Sequence, residues 1–193
     1  MSINDFIEDI KSVNIRSTDI KRRLLMSSST ADTFQSFLKD SIGDEVLIIN
    51  TNVGMEIYYY SSSNYSNFIK ESALLYTLKH IDTTKLKFRN SLSSEEVKKN
   101  FTEAIITFAQ YPQLFLAYAK KFIHLRNTNL RSKYVMPTLN DCFEGTIRLL
   151  AETGKVPHSE KINKVKNKSL KPGHNQSAID DLISEILLKK HRN

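Results

Sequence analysis

The sequence contains a single cysteine, Cys142, in 193 residues. One cysteine cannot form a disulfide within the chain, and its place in an apolar helical pattern favours a buried core thiol over a nucleophile. With only 5 glycines and 4 prolines, the chain has few tight turns, which favours helices over a strand-rich sandwich. No apolar run approaches the roughly 20 residues that span a bilayer, and the acidic N-terminal segment lacks the apolar core of a signal peptide. We therefore expect a cytoplasmic protein that does not bind a membrane.

Motifs of the common enzyme classes are missing as well. The sequence has no glycine-rich phosphate loop, no HExxH, no CxxC and no GxSxG. Its 5 histidines are scattered, and none has a second His or Cys at the spacing of metal ligands. Asp44, Glu45 and Glu56 resemble a nuclease cluster, but the lysine expected two residues after the last acid is replaced by Tyr58. We predict a protein that is not an enzyme and that uses no metal and no cofactor.

Positive charge is in excess. The formal net charge is +7 and the pI is about 9.4, which favours anionic partners, nucleic acid first and a membrane surface second. The alternative is that this basicity only maintains solubility. A hydrophobic content of 40% and a charged content of 25% are ordinary for globular proteins, and the length allows one or two small domains.

The most regular pattern covers residues 93–125 and predicts two helices that meet at Pro112. Ser93 and Ser94 are both candidates to cap the first helix, and Glu95 and Glu96 lie in its first turn, where carboxylates suit the positive end of the helix dipole. Proline fits the first turn of the second helix and is unfavourable inside the first. Apolar residues of both helices recur at helical spacing and can line one space: Phe101, Phe108, Phe115, Tyr118 and Phe122.

Hydrophobic periodicity predicts further helices in the rest of the chain. They cover residues 3–15, 19–26, 30–42, 65–81, 137–153 and 177–190. Residues 83–92 are interpreted as a connector or a frayed helix end, residues 126–133 as a polar loop, and residues 155–175 as a mobile basic linker.

Residues 45–60 allow two interpretations. Their β-branched and aromatic content favours strands, so propensity predicts a hairpin with its turn at residues 51–54. The same residues can also be read as two short helices, the second of which ends at residues 58–60. The layout of the whole chain favours the helical interpretation.

That layout resembles the TetR family of one-component bacterial repressors. In this family a helix-turn-helix ends in an aromatic stretch, and a polar break and a long connecting helix follow. The corresponding segments here are residues 57–60, 61–63 and 65–81. An acidic helix start, an apolar helix, a step into proline and a Leu-Phe pair then match at residues 95–96, 101–108, 111–112 and 114–115. Residues 139–156, which end in Gly-Lys-Val, resemble the long helix before a glycine turn in that family.

The resemblance implies an all-α fold with two parts. Residues 1–63 would form a DNA-binding helix-turn-helix domain, and residues 64–193 a helical domain for ligand binding and dimerisation. The alternative fold is α+β with a hairpin at residues 45–60. The implied function is a transcriptional repressor that a small apolar effector releases from double-stranded DNA. A homodimer would form through residues 137–153 and 177–190.

The resemblance also assigns roles to individual residues. Phosphates would be bound by Lys21, Arg22, Arg23 and Lys70, and a recognition helix at residues 53–59 would present Met55, Glu56, Tyr58 and Tyr59 to base edges or backbone. The effector would lie among Phe101, Phe108, Phe115, Tyr118 and Phe122; without the resemblance, these side chains read as a dry core. The alternative function is a non-enzymatic assembly subunit that binds another protein through its terminal helix.

Overall fold

The computed structural model describes residues 8–18, 24–77 and 81–169. The first part of this chain forms strand β1 (Asp9–Ser17), helix α1 (Ser28–Ile42), strands β2 (Val46–Thr51) and β3 (Gly54–Ser61), helix α2 (Ser66–Tyr76) and strand β4 (Leu86–Ser91). One turn of 3-10 helix, Thr83–Lys85, precedes β4. Four helices follow: α3 (Ser94–Ala109), α4 (Pro112–Thr128), α5 (Val135–Glu152) and α6 (Ser159–Ser169).

The four described strands form one antiparallel sheet in the order β2-β3-β1-β4. The element sequence β-α-β-β-α-β is that of the ferredoxin-like, or split βαβ, motif. Helices α1 and α2 cover one face of the sheet, in a core that contains Phe34, Leu38 and Ile69. The later helices cover the other face, in a core that contains Phe101, Phe122 and Phe143. The sheet is therefore the middle of three layers.

Strands β2 and β3 are buried on both faces. Val46 and Ile48 belong to the core under α1, whereas Leu47 and Ile49 belong to the core on the opposite face. A strand that is covered on both sides has a continuous apolar sequence instead of an alternating one, because successive side chains point to opposite faces. This explains why residues 46–49 lack the alternation that would have identified a strand from the sequence.

The predicted all-α fold is therefore wrong, and the α+β alternative with a hairpin is correct. Strands β2 and β3 pair in register, with Ile48 opposite Ile57. Gly54 follows the turn with a φ of +141°, and a Cβ atom there would lie 2.4 Å from the carbonyl oxygen of Ile15. The β-strand propensity of residues 45–60 indicated the hairpin correctly, whereas the resemblance of the whole chain to the TetR layout led to the incorrect helical interpretation.

Other predicted elements also need correction. The helix predicted at residues 3–15 is replaced by β1 from Asp9 onwards, and the connector at residues 83–92 contains β4. Residues 24–26 of the helix predicted at 19–26 are not helical. The linker predicted at residues 155–175 contains α6. Residues 1–7 and 19–23 and the terminal helix predicted at 177–190 lie outside the described residues.

The two helices that meet at Pro112 are confirmed. The Ser93 hydroxyl caps α3 by accepting a hydrogen bond from the Glu96 N–H at 3.3 Å. Pro112 occupies the first turn of α4. The helices predicted at residues 30–42 and 137–153 are present as α1 and α5, and the one predicted at 65–81 is present in part as α2.

Candidate anion-binding surface on strands β1 and β4

The residues predicted to read DNA bases lie inside the molecule. Met55, Glu56, Tyr58 and Tyr59 belong to β3, between β1 and β2, and none is more than 7% exposed. Reading a base edge requires a side chain that can enter a groove of the duplex. A recognition helix at residues 53–59 does not exist, because these residues form the turn and most of a central strand.

Lys70, the one predicted phosphate contact among the described residues, lies on α2 and not on β3. Lys70 is exposed on α2, with its ammonium nitrogen 5.0 Å from the centre of the Phe88 ring. Lys21, Arg22 and Arg23 lie outside the described residues.

The aromatic side chains predicted to line an effector pocket pack against one another in the hydrophobic core. All of them are buried, and their rings touch: the Phe108 and Tyr118 centroids are 4.9 Å apart, and those of Phe101 and Phe122 are 5.5 Å apart. Phe115 is fully buried in the same cluster. A cavity of about 290 Å³ lies elsewhere, between α5 and α6, where it is lined by Ile147, Ala151, Gly154, Val156, Ser159, Ile162 and Asn163.

One face of α5, the helix predicted to form part of the dimer interface, packs within the chain, whereas Leu149 on the same helix is exposed. Leu139, Phe143 and Leu150 face the core that α5 shares with α3 and α4. Its partner in the predicted interface, residues 177–190, lies outside the described residues.

A buried polar network lies under α4. The Tyr118 and Tyr58 hydroxyls donate hydrogen bonds to the same carboxyl oxygen, Oε2 of Glu56, at 2.7 and 3.1 Å. Burial raises the pKa of Glu56, although these hydrogen bonds and the charge of Arg16 act in the opposite direction. Asn14 lies directly opposite Glu56 on β1, and its buried Oδ1 has no hydrogen-bond partner among the described residues. This network is enclosed by protein, so it does not offer a carboxylate to a solvent-borne substrate.

Three exposed cations lie beside this network, on the same face of the sheet: Arg16, Lys87 and Arg89, which we call the basic row. Arg16 on β1 is directly opposite Lys87 on β4, and Arg89 follows two residues later, where the side chain returns to the same face. The Arg89 guanidinium donates a hydrogen bond of 2.7 Å to the Asn100 side chain on α3. The basic row therefore lies on the face of the sheet that α3 covers.

The charge of the basic row is not neutralised by ion pairing with the described residues. None of their carboxylates forms an ion pair with Arg16, Lys87 or Arg89. Like charges that face each other across two strands destabilise a sheet. An anion bound between them would remove this repulsion, so the arrangement is suited to phosphate or carboxylate groups.

The position of α3 leaves the basic row open to solvent. The start of α3 is fixed to the beginning of β1, where the Ser94 N–H donates a hydrogen bond of 2.9 Å to Asp9. Further along α3, Phe101 packs edge-on against Tyr58 of β3, so the helix covers the middle of the sheet. The end of β1 and the start of β4 remain exposed at Arg16 and Lys87.

The sequence contained a signal for this surface that helical interpretation missed. Residues 86–90 alternate between apolar or neutral and basic side chains, Leu-Lys-Phe-Arg-Asn, which is the period of a strand with one charged face. Arg16 could not be linked to them from sequence, because its pairing with Lys87 is a contact between distant segments.

Comparison with family models, with curated proteins and with solved structures gave no match. The resemblance to the TetR family therefore gains no support from them. In the part of the chain that the structure describes, no three or more His, Cys, Asp or Glu side chains are grouped to hold a metal ion. The described helices also include none with the length and apolar character needed to cross a bilayer.

Proposed function

We propose that this protein is a non-enzymatic binding module that attaches to an anionic partner through the basic row. The observation that carries the proposal is the cross-strand placement of Arg16, Lys87 and Arg89, exposed and without ion-pair partners among the described carboxylates. This proposal develops the assembly-subunit alternative from the sequence. It replaces base reading by residues 53–59, which the buried position of β3 rules out.

The charge of the whole chain supports the same interpretation. A net charge of +7 attracts polyanions over distances of about one Debye length, ~10 Å in moderate salt. The basic row then supplies short-range contacts. Two arginines favour planar, bidentate recognition of carboxylate or phosphate groups, and Lys87 between them adds a point charge.

The test is a salt-dependent binding assay with three anionic probes: polyglutamate, oligodeoxythymidine and duplex DNA. The variant R16A/K87A/R89A removes the basic row. A control variant, K99A/K155A/K161A, removes the same amount of charge from exposed positions elsewhere. We expect the first variant to lose about tenfold or more in affinity for at least one probe, with a shallower salt dependence, because fewer ion contacts form.

The comparison of the two variants decides the result. Equal losses in both variants would mean that only net charge matters, and would overturn the proposal of a localised surface. Absence of binding to all three probes would also overturn the proposed function. The basic row would then serve only to prevent aggregation through the edge of the sheet.

A further inference from the structure

The two edge strands of the sheet, β2 and β4, differ in whether their outward backbone groups have hydrogen-bond partners. On β2, the Gln35 side chain of α1 accepts a hydrogen bond of 2.8 Å from the outward N–H of Ile48. The residues from Val46 to Asn50 are all buried. This edge is closed by the chain itself.

Strand β4 forms the other edge, and its outward backbone groups are free among the described residues. The Thr18 N–H donates to the Lys85 carbonyl at 3.0 Å, which sets the phase of the β1–β4 ladder. Hydrogen-bonded and non-hydrogen-bonded pairs alternate in an antiparallel ladder, so Lys87 and Arg89 bond to β1. The N–H and C=O groups of Phe88 and Asn90 therefore point away from the sheet, and no described residue bonds to them.

The side chains beside this open edge are basic on one face and mixed on the other. Lys87 and Arg89 project on the α3 face. Phe88 projects on the α2 face, half-buried, with the Lys70 ammonium above its ring. A strand placed next to β4 would thus meet positive charge on both faces and an apolar ring on one.

We propose that an extended acidic segment of a partner protein binds along β4 as a fifth strand. The inference rests on the proposed function and names its partner class. Main-chain hydrogen bonds to Phe88 and Asn90 would supply affinity, as in other cases of strand addition. Acidic side chains on one face of the added strand would pair with Lys87 and Arg89, and apolar ones on the other face would contact Phe88.

A peptide fits this surface better than single-stranded nucleic acid does. Proteins that bind single strands stack bases on aromatic side chains of an open sheet face. Here helices cover both faces of the sheet except at the basic row, and Phe88 is on the face opposite to that row. A second copy of the chain is also disfavoured, because pairing β4 with itself would bring the basic side chains of both copies together.

The first experiment measures amide protection. The full chain is titrated with an acetylated, amidated peptide of alternating valine and glutamate, and hydrogen exchange is followed residue by residue by NMR. We expect the amides of Phe88 and Asn90 to become protected by about tenfold or more, because they gain hydrogen bonds on binding. The amides of Lys87 and Arg89 already belong to the ladder and should change less.

The second experiment removes a backbone donor. N90P eliminates the outward N–H of Asn90, and proline is tolerated at an edge position whose N–H faces solvent. N90A changes the same side chain but keeps the N–H. We expect N90P to bind the peptide about tenfold more weakly than N90A, a loss of about 1.4 kcal/mol. Unchanged amide protection along β1 in both variants verifies that the sheet is intact.

The outcomes separate this inference from the proposed function. Equal affinities of N90P and N90A, or binding without protection of Phe88 and Asn90, would overturn strand addition. If oligodeoxythymidine then bound in a way that depends on the basic row, the binding module would stand with a nucleic acid as its partner. A peptide of the same sequence that is N-methylated on alternate amides should bind more weakly than the unmethylated peptide, because it cannot donate the main-chain hydrogen bonds of the added strand.

Discussion

Glu56 places an ionisable carboxyl group in the buried centre of the molecule. It accepts two tyrosine hydrogen bonds below α4, and burial raises its pKa. The folded state therefore favours the protonated form of Glu56 more than the unfolded chain does. Its stabilising contribution is therefore complete below the ordinary pKa of 4.5 and is lost as the pH rises through the higher folded value.

The variant E56Q tests this sign. Glutamine keeps a carbonyl oxygen for the Tyr58 and Tyr118 hydroxyls but does not ionise. We expect E56Q to gain stability relative to the native chain as the pH rises from about 4.5 to neutral, by about 1.4 kcal/mol for each unit by which the pKa is raised. Urea unfolding, followed by circular dichroism across this range, measures the difference. A constant difference between the two proteins would contradict the prediction.

Glu45 holds the start of α5 to the beginning of β2. Its carboxylate accepts hydrogen bonds from the Ser132 hydroxyl at 2.7 Å and from the backbone N–H groups of Lys133, Tyr134 and Val135 at 2.6, 3.3 and 3.1 Å. Burial acts to raise its pKa, but these hydrogen bonds outweigh burial and lower it. The stabilisation is therefore present above the ordinary pKa of 4.5 and is lost as the pH falls through the lower folded value.

We expect E45A to lower the free energy of unfolding at neutral pH by about 1–3 kcal/mol, because the N–H groups at the start of α5 lose their acceptor. D44A is the matched control, since Asp44 is exposed and adjacent. Chemical denaturation of both variants gives the comparison. Equal effects would mean that Glu45 contributes only its charge.

Among the elements, the β2–β3 hairpin and α5 contain glycines with opposite roles. Gly54 has a left-handed φ and no space for a Cβ atom, because the Ile15 carbonyl oxygen would be 2.4 Å away. Gly145 lies within α5, where an added Cβ atom would meet nothing within 4 Å. The same substitution should therefore change stability in opposite directions.

We expect G54A to destabilise the protein by about 2 kcal/mol or more, through backbone strain and the contact with β1. In contrast, G145A should stabilise it by about 0.5–1 kcal/mol, because alanine loses less backbone entropy in a helix. Thermal unfolding of the two variants measures both signs. A stable G54A variant would show that the turn can change its conformation.

Elements that depend on local signals were predictable. The pair α3 and α4 has a serine cap, early carboxylates and a proline at the joint, and each of these acts within one helical turn. Strand β1 has no such signal, and the alternation at residues 86–90 indicates a strand at β4 but not the strand with which it pairs. Ile10, Val13 and Ile15 suit a helix almost as well as a strand, and only pairing with β3 and β4 decides between them.

At the level of the whole molecule, one sheet joins two cores. Along β3, Ile57 belongs to the core with α1 and α2, and the next residue, Tyr58, belongs to the core with α3 to α5. If either layer of helices loses its packing, one face of the shared sheet becomes exposed to solvent. We expect the two cores to unfold together.

The variants F34A and F143A test this coupling, because each creates a cavity in a different core. Each should lower the free energy of unfolding by about 3–5 kcal/mol and still give a single transition. Far-UV circular dichroism and tyrosine fluorescence should give coincident midpoints. Separate transitions in either variant would mean that the two layers are independent.

The sequence by itself determined the positive charge, which follows from composition, and helices α3, α4 and α5, which follow from the spacing of neighbouring residues. The tertiary structure alone decided that Glu56 and Tyr58 are buried instead of presented to DNA. It also decided that Arg16, Lys87 and Arg89 form one surface. The physical reason is that strand pairing connects residues far apart in the chain, and no local pattern records which strands will become neighbours.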